Sequence, residues 1–266
     1  MSAAMQNMDK AAQVEGIPAA TIVIFRKAAG GGPPEILMVI RSRNMAFAGG
    51  AAVFPGGRVD AADHALAAAL DHSLGDDDEA AHRIAALRET LEETGLAIGI
   101  EGRVTGSQAA EARAMLLEHE DFAPVLEKFG WDLRLDDVVP FARWFPKNER
   151  LSRVFDTRFY LYDIGTGVVD ISVDATENTR LFWTSAEGAL AAAERGEIDI
   201  IFPTRRNLER LAQFESFAAA QQDAQAHPVK IITPFLIDID GVKHISFGQD
   251  HGYPTTGEPI ESASRG

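Results

Sequence analysis

The run Arg88-Glu89-Thr90-Leu91-Glu92-Glu93-Thr94-Gly95-Leu96 constrains this chain more than any other stretch. From Glu89 the next two glutamates stand at i+3 and i+4, so a helix places all three carboxylates on one face. Ile84, Leu87 and Leu91 recur at helical spacing on another face and hold that helix against a core. Gly95 follows the acidic turn, as a left-handed helix stop does. Like charges this close destabilise a helix by roughly a few tenths of a kcal/mol per pair. A divalent cation reverses that sign, because hard carboxylate oxygens suit Mg²⁺ or Mn²⁺. The alternative is a solvated acidic face on which Arg88 and Glu92 form an ordinary i,i+4 pair.

Upstream, Val53-Phe54-Pro55-Gly56-Gly57 reads as a short buried strand ending in a loop. Its glycines permit close backbone approach to a ligand. Strand, glycine turn and acidic helix converge on one point, expected to be a surface cluster and not core. The chain has no cysteine, which excludes disulfides, thiolate metal sites and cysteine nucleophiles. A metal here must be held by oxygen or nitrogen. The net charge of −15 argues against a nucleic-acid surface, since no long basic stripe is present to neutralise phosphates. It is compatible with a small anionic substrate, because a locally basic pocket and a bound metal set the local field.

Phe54-Pro55-Gly56-Gly57 followed by Arg88-Glu89-x-x-Glu92-Glu93-x-Gly95-Leu96 resembles the Nudix box of the Nudix hydrolases. That family cuts a diphosphate linked to another moiety, using divalent metal. Its usual box runs glycine, five residues, glutamate, seven residues, Arg-Glu. Here Gly57 and Arg88 stand 31 positions apart, more than twice that span, so the box carries an insertion. Counted back from Arg88, the first box glutamate falls on Ala80, with Glu79 one step away. The branch containing the peroxisomal coenzyme A diphosphatase also interrupts its box. Other stretches are similar to that branch: Ile40-Arg41-Ser42-Arg43 with Phe47 and Gly50, Trp144-Phe145-Pro146, Arg153 to Phe159, and Glu177 before Trp183. Glu187 through Pro203-Thr204, and Ile239-Asp240-Gly241 to His251-Gly252-Tyr253-Pro254, extend the likeness from Thr21 to Pro254.

The resemblance implies a Nudix-type α/β/α sandwich: a mixed sheet with helices on both sides, a helical insertion inside the box, and a C-terminal hairpin. Residues 1–19 and 255–266 are expected to be disordered, flanking a single domain over 20–254. The hairpin rests on Asp240-Gly241, a strong turn signal between Val229–Ile239 and Val242–Phe247. Strands are expected at Thr21–Arg26, Ile36–Arg41, Phe141–Trp144, Arg158–Tyr162 and Leu181–Trp183. Helices are expected at Ala61–Leu70, over Gln108–Lys128 with Leu116, Leu117 and Leu126 inward, at Ala186–Arg195 and at Thr204–Ala220. Asp76-Asp77-Asp78-Glu79 reads as a solvated helix start, where acids suit the positive end of the dipole. No apolar run is long enough to span a bilayer. With neither a secretory apolar core nor a Ser-Lys-Leu type ending, the expected location is cytoplasmic.

For the chemistry, Glu89 and Glu93 are the expected direct ligands of Mg²⁺ or Mn²⁺, with Glu92 direct or through water. The family match implies the Gly56 carbonyl as a further ligand. Arg88 orients the carboxylates and does not touch substrate. Arg41, Arg43, Arg58 and Arg143 lie near the catalytic turn or in loops that reach it, with Gly57 beside them; arginine binds phosphate bidentately, which makes Arg41 and Arg43 clamps. The general base is a box glutamate or Glu177 on a later loop. Phe47, Trp144 and Phe145 are candidates for stacking an adenine, and His82 reads as a helix-surface residue. The expected partner is a small-molecule diphosphate: coenzyme A or an acyl-CoA from the branch resemblance, or else ADP-ribose or a dinucleotide. A non-catalytic nucleotide sensor is the reading from another class. Neither nucleic acid nor membrane is an expected partner, and homodimerisation through exposed sheet edges is an expectation.

Overall fold

Along β1 (Ile17–Arg26) successive side chains divide between two cores. Ala20, Ile22 and Ile24 enter one and Val23 and Phe25 the other, as the two-residue period of a strand dictates. A strand buried on both faces must lie inside a sheet covered on both sides, and that is the architecture of the computed structural model, which describes residues 15–43, 48–147, 153–165 and 178–263.

The chain passes through β2 (Glu35–Arg41), β3 (Ala52–Val53) and β4 (Gly56–Arg58). Inside the box lies α1 (Ala61–Ala69), and the acidic helix is α2 (Asp77–Thr94). Then follow α3 (Gly106–His119), α4 (Ala123–Phe129), β5 (Val139–Trp144), β6 (Phe155–Asp163) and β7 (Asn178–Thr184). The last third contains α5 (Ala186–Glu194), α6 (Phe202–Leu211), α7 (Phe217–Ala226), β8 (Ile231–Ile232), β9 (Phe235–Ile239), β10 (Val242–Ser246), β11 (Gly257–Pro259) and α8 (Ile260–Ala263). Among the described residues the main sheet has eight strands in the order β3-β2-β1-β6-β5-β8, with β4 also on β1 and β7 also on β2. It is mixed: β1 with β6 and β5 with β8 are parallel, while β1 with β2 and β5 with β6 are antiparallel. Residues of α1 to α4 fill the core on one face, and those of α5, α6 and α7 the core on the other. The α/β/α sandwich is therefore present, with a helix inside the box.

Several expected elements are cut differently. The helix expected over Thr204–Ala220 is two, because the Ser216 side chain accepts from the Ala219 N–H and starts α7 afresh. The strand expected over Val229–Ile239 is also two: Ile231–Ile232 joins β5 in the main sheet, and Phe235–Ile239 joins a separate antiparallel sheet, β11-β10-β9. Pro234 stands between them and has no N–H to continue a ladder. The Asp240-Gly241 turn does form the hairpin, with both residues at positive φ. Residues 17–19 belong to β1, held by β6 and β4, and residues 257–263 form β11 and α8. Leu117 is exposed, whereas Leu116 and Leu126 are buried. Among the described residues no helix is long and apolar enough to cross a membrane.

Trp144 anchors the second core. Its ring meets Phe202, Phe247 and Tyr253 edge-on, and its Nε1–H donates to the Tyr253 hydroxyl at 3.1 Å. That hydroxyl in turn donates to Asn207 Oδ1. The indole is thus satisfied and almost fully buried, and the segment carrying Tyr253 is pinned to the sheet. Trp144→Ala should lower unfolding free energy by about 3–5 kcal/mol. Urea unfolding followed by far-UV circular dichroism would measure it, and a loss below about 1 kcal/mol would contradict this packing.

Candidate active site

The acidic helix is closed at both ends by local chemistry. Asp76 caps the start, its carboxylate accepting from the Asp78 and Glu79 N–H groups, and Gly95 ends it in the left-handed region at φ 74°. Arg113 donates to the carbonyl of Glu92 at 2.9 Å, satisfying the last turn. That last turn and a half carries the three glutamates.

β4 brings the glycines to them. The Gly56 N–H donates to Glu93 Oε2 at 3.0 Å. Gly56 sits at φ 152°, and a Cβ there would lie 2.3 Å from the Ala20 carbonyl oxygen. A Cβ on Gly57 would lie 2.3 Å from the Glu89 carboxylate. The close approach anticipated for a ligand is therefore made first to β1 and to Glu89 itself.

Arg88 joins the carboxylates. Its Nε and Nη2 donate to the two oxygens of Asp63 at 2.9 and 3.0 Å. Its Nη1 donates to Glu89 at 3.0 Å and to Glu92 at 3.2 Å, and Nη2 also reaches the Arg58 carbonyl. Burial disfavours its charge, but Asp63, Glu89 and Glu92 outweigh that and raise its pKa. Arg88 thus contacts carboxylates of both α1 and α2. Asp63 was missed. Counted five residues forward from Gly57, the acidic box position is Asp63 itself, and the insertion follows it. Glu79 is occupied elsewhere, holding Arg83 and Arg158, and ten residues of helix put it about 15 Å from Glu89.

The site is not a surface cluster. Glu93, held between Gly56 and Asn178, is only 4% exposed, and His82, against which His64 of α1 packs, is buried and donates to the Asp78 carbonyl. Burial raises the Glu89 pKa to about 8; Arg88 opposes the rise, and Glu92 and Glu93 add to it. No three acids or histidines among the described residues form a ready metal cage: Glu89 and Glu92 turn toward Arg88, while Glu93 is held by Gly56 and Asn178.

Asn178, also missed, begins β7 and donates through Nδ2 to Glu93 Oε1 at 3.2 Å. No sequence signal marks it, because a β-bulge places it. Ile40 pairs with Arg180 but Arg41 pairs with Asn178, leaving Thr179 as the extra residue. Arg41 thus stands opposite Asn178, and its buried Nε has no partner among the described residues. Arg43 and Arg58 have exposed side chains. Arg143 is not brought to the carboxylates. It pairs bidentately with Asp156, and its strand lies three strands from β4, roughly 14 Å away. Trp144 and Phe145 are buried away from solvent, Trp144 in the core of the opposite face, and do not offer a stacking surface here. Glu177 and Phe47 lie outside the described residues.

In the metal-free protein, Glu89 holds a proton when folded at pH values where it has lost it unfolded, between about 4.5 and about 8. Stability in EDTA should therefore fall as pH rises through that window. Thermal unfolding of wild type and Glu89→Gln across this range measures the effect. The variant should lose that slope, and an unchanged slope would clear Glu89 as its source.

Among solved structures, the Nudix hydrolase of Alicyclobacillus acidocaldarius matches with a TM-score of 0.67 and 26% identity, over 79% of this chain and 97% of that one. Two other likenesses are weaker. The C. elegans Ap4A hydrolase has a TM-score of 0.36 and 20% identity, over 68% of this chain and 88% of that one. The Nudix domain of Shewanella oneidensis NrtR, complexed with ADP ribose, has a TM-score of 0.36 and 15% identity, over 79% and 96%. Neither the family models nor the curated proteins searched give a match to the sequence. With its α/β/α fold and the interrupted box assembled as one site, the chain shares the fold of a Nudix hydrolase and is similar to it over 79% of its own length.

Proposed function

We propose that this enzyme hydrolyses the diphosphate linkage of a nucleoside-diphosphate-linked metabolite with Mg²⁺ or Mn²⁺, and that the metabolite is coenzyme A or an acyl-CoA. The observation that carries the reaction is the convergence of Glu89, Glu92 and Glu93 on the Gly56-Gly57 backbone around one arginine. A buried group of four acids, Asp63 included, with one guanidinium has a deficit of positive charge that a hard divalent cation supplies. The unpartnered oxygen of Asn178 and the unpartnered Nε of Arg41 fit a metal–phosphate ligand, which brings one centre to the acceptor and the other to the donor. The substrate choice rests on the resemblance to the coenzyme A diphosphatase branch; the products would be 3′,5′-ADP and 4′-phosphopantetheine.

When bound, the cation offsets phosphate charge and lowers the pKa of water. Glu89 and Glu93 hold it, with Glu92 beside them and the Gly56 carbonyl as the backbone donor. Arg88 fixes the glutamates through the Asp63 pair and does not contact substrate. Arg41 clamps a phosphate through its free donors, with Arg43 and Arg58 guiding from the exposed rim. Glu177 is the general base; its neighbour in sequence, Asn178, touches Glu93, which supports that assignment.

Turnover of CoA, acetyl-CoA, ADP-ribose, NADH, diadenosine polyphosphates and nucleoside triphosphates with Mg²⁺ and Mn²⁺ tests the reading. CoA compounds should be preferred, and EDTA and Glu93→Gln should each abolish turnover, the latter by roughly a hundredfold or more. Preference for ADP-ribose would replace the CoA assignment. Tight binding without cleavage of any member would make the chain a nucleotide sensor. Glu177→Gln should lower kcat by about 10²–10⁴ without changing metal affinity; near-normal kcat would return the base to a box glutamate.

A further inference from the structure

Glu93 is held by two donors, the Gly56 N–H on one oxygen and the Asn178 amide on the other. The second is costly to build. Asn178 is 1% exposed, and its Oδ1 has no hydrogen-bond partner among the described residues. A buried amide oxygen left without a donor costs about 1–3 kcal/mol. The amide could not relieve this by turning over, because its oxygen would then face the Glu93 carboxylate in place of a donor. The arrangement is also specified by backbone: the Thr179 bulge sets Asn178 at the end of the β2–β7 ladder, opposite Arg41. Thr179 steadies that bulge by donating to the Ile40 carbonyl. Bulges of this kind re-aim side chains beside active sites.

An orphaned neutral oxygen next to an aligned carboxylate is suited to a hard cation, which takes carboxylate and amide oxygens alike. From this we infer that Asn178 belongs to the divalent-cation site, its Nδ2 fixing Glu93 and its Oδ1 serving as an oxygen donor to the cation. This rests on the cation-site reading of Glu89 and Glu93. It adds a ligand from β7, outside the box, and couples metal loading to the strand that also faces Arg41. Asn178 would then report whether the cation and the phosphate clamp are assembled together.

The test is Mn²⁺ binding to the full chain without substrate, followed by electron paramagnetic resonance, for wild type and for Asn178→Leu, Asn178→Asp and Glu93→Gln. Thermal unfolding in EDTA establishes that each variant is folded. Asn178→Leu keeps the volume but removes both polar atoms, and should weaken Mn²⁺ about 10–100-fold. Asn178→Asp removes the donor to Glu93 yet keeps an oxygen for the cation, and should recover most of that loss. If Asn178 only positioned Glu93, the aspartate would repel it and bind Mn²⁺ no better than the leucine variant; that result overturns the ligand assignment. Wild-type affinity in Asn178→Leu overturns it as well. Undiminished Mn²⁺ binding by Glu93→Gln is a separate outcome, which removes the parent reading of the site and this inference with it.

Discussion

Arg88 is a guanidinium buried under a helix, and the remainder of the site is arranged around its donors. Two go to Asp63 in a fork-to-fork pair, one is shared by Glu89 and Glu92, and the Arg58 carbonyl takes another bond. The planar fork is what makes this possible; a lysine offers a point charge and could not bridge α1, β4 and two turns of α2 at once. Because Asp63 lies on α1, the helix that runs on into the insertion, α1 is part of the site's support. It supplies both the counter-charge for Arg88 and the cover that takes α2 out of water. Burial then strengthens every charge in the cluster. Glu89 is pushed up by burial first and by Glu92 and Glu93 beside it, with Arg88 opposing the rise.

The same geometry explains the two glycines. Gly56 must donate to Glu93 and pass the β1 backbone at a distance no side chain allows, and Gly57 lies flat against the Glu89 carboxylate. Any residue with a Cβ at either position would push the Glu89 carboxylate or a strand away. The box is therefore a packing motif as much as a chemical one: the backbone must be bare where the acids come down on it.

What the sequence made legible was whatever depends on local spacing. Glu89, Glu92 and Glu93 share a face because the helix period requires it, Gly95 stops the helix because it tolerates positive φ, and Asp240-Gly241 turns the hairpin for the same reason. The strand at Thr21–Arg26 was legible in its apolar residues, while the α/β/α layering was implied by the family resemblance. What depends on tertiary placement was not legible. His82 looked exposed because nothing local says that α1 lies across α2. Trp144 looked available for stacking, yet its partners Phe202, Phe247 and Tyr253 arrive from far along the chain. Arg143 looked close to the site in a linear reading, but strand order sends it three strands away. Asn178 carries no signature at all, since a one-residue bulge decides which face it serves. Asp63 is the exception: it was in the spacing and is found by counting the box forward from Gly57 in place of backward from Arg88.

On the proposed function, a chain of net charge −15 must attract an anion to one of its most acidic corners. Distant carboxylates matter little, since charges beyond about 8 Å are screened at physiological ionic strength. The local balance decides. Before a cation enters, four acids face one arginine, and a phosphate approaching through the exposed Arg43 and Arg58 meets net repulsion at the end of its path. A divalent cation offsets two of those charges, and Arg41, whose buried Nε has no partner among the described residues, stands opposite Asn178 as a further positive group. Ordered binding follows from the charges alone: the site favours the cation first, or the cation and diphosphate together, and disfavours the bare anion. The carboxylates that make the site reactive thus also make it selective against a diphosphate that arrives without its metal.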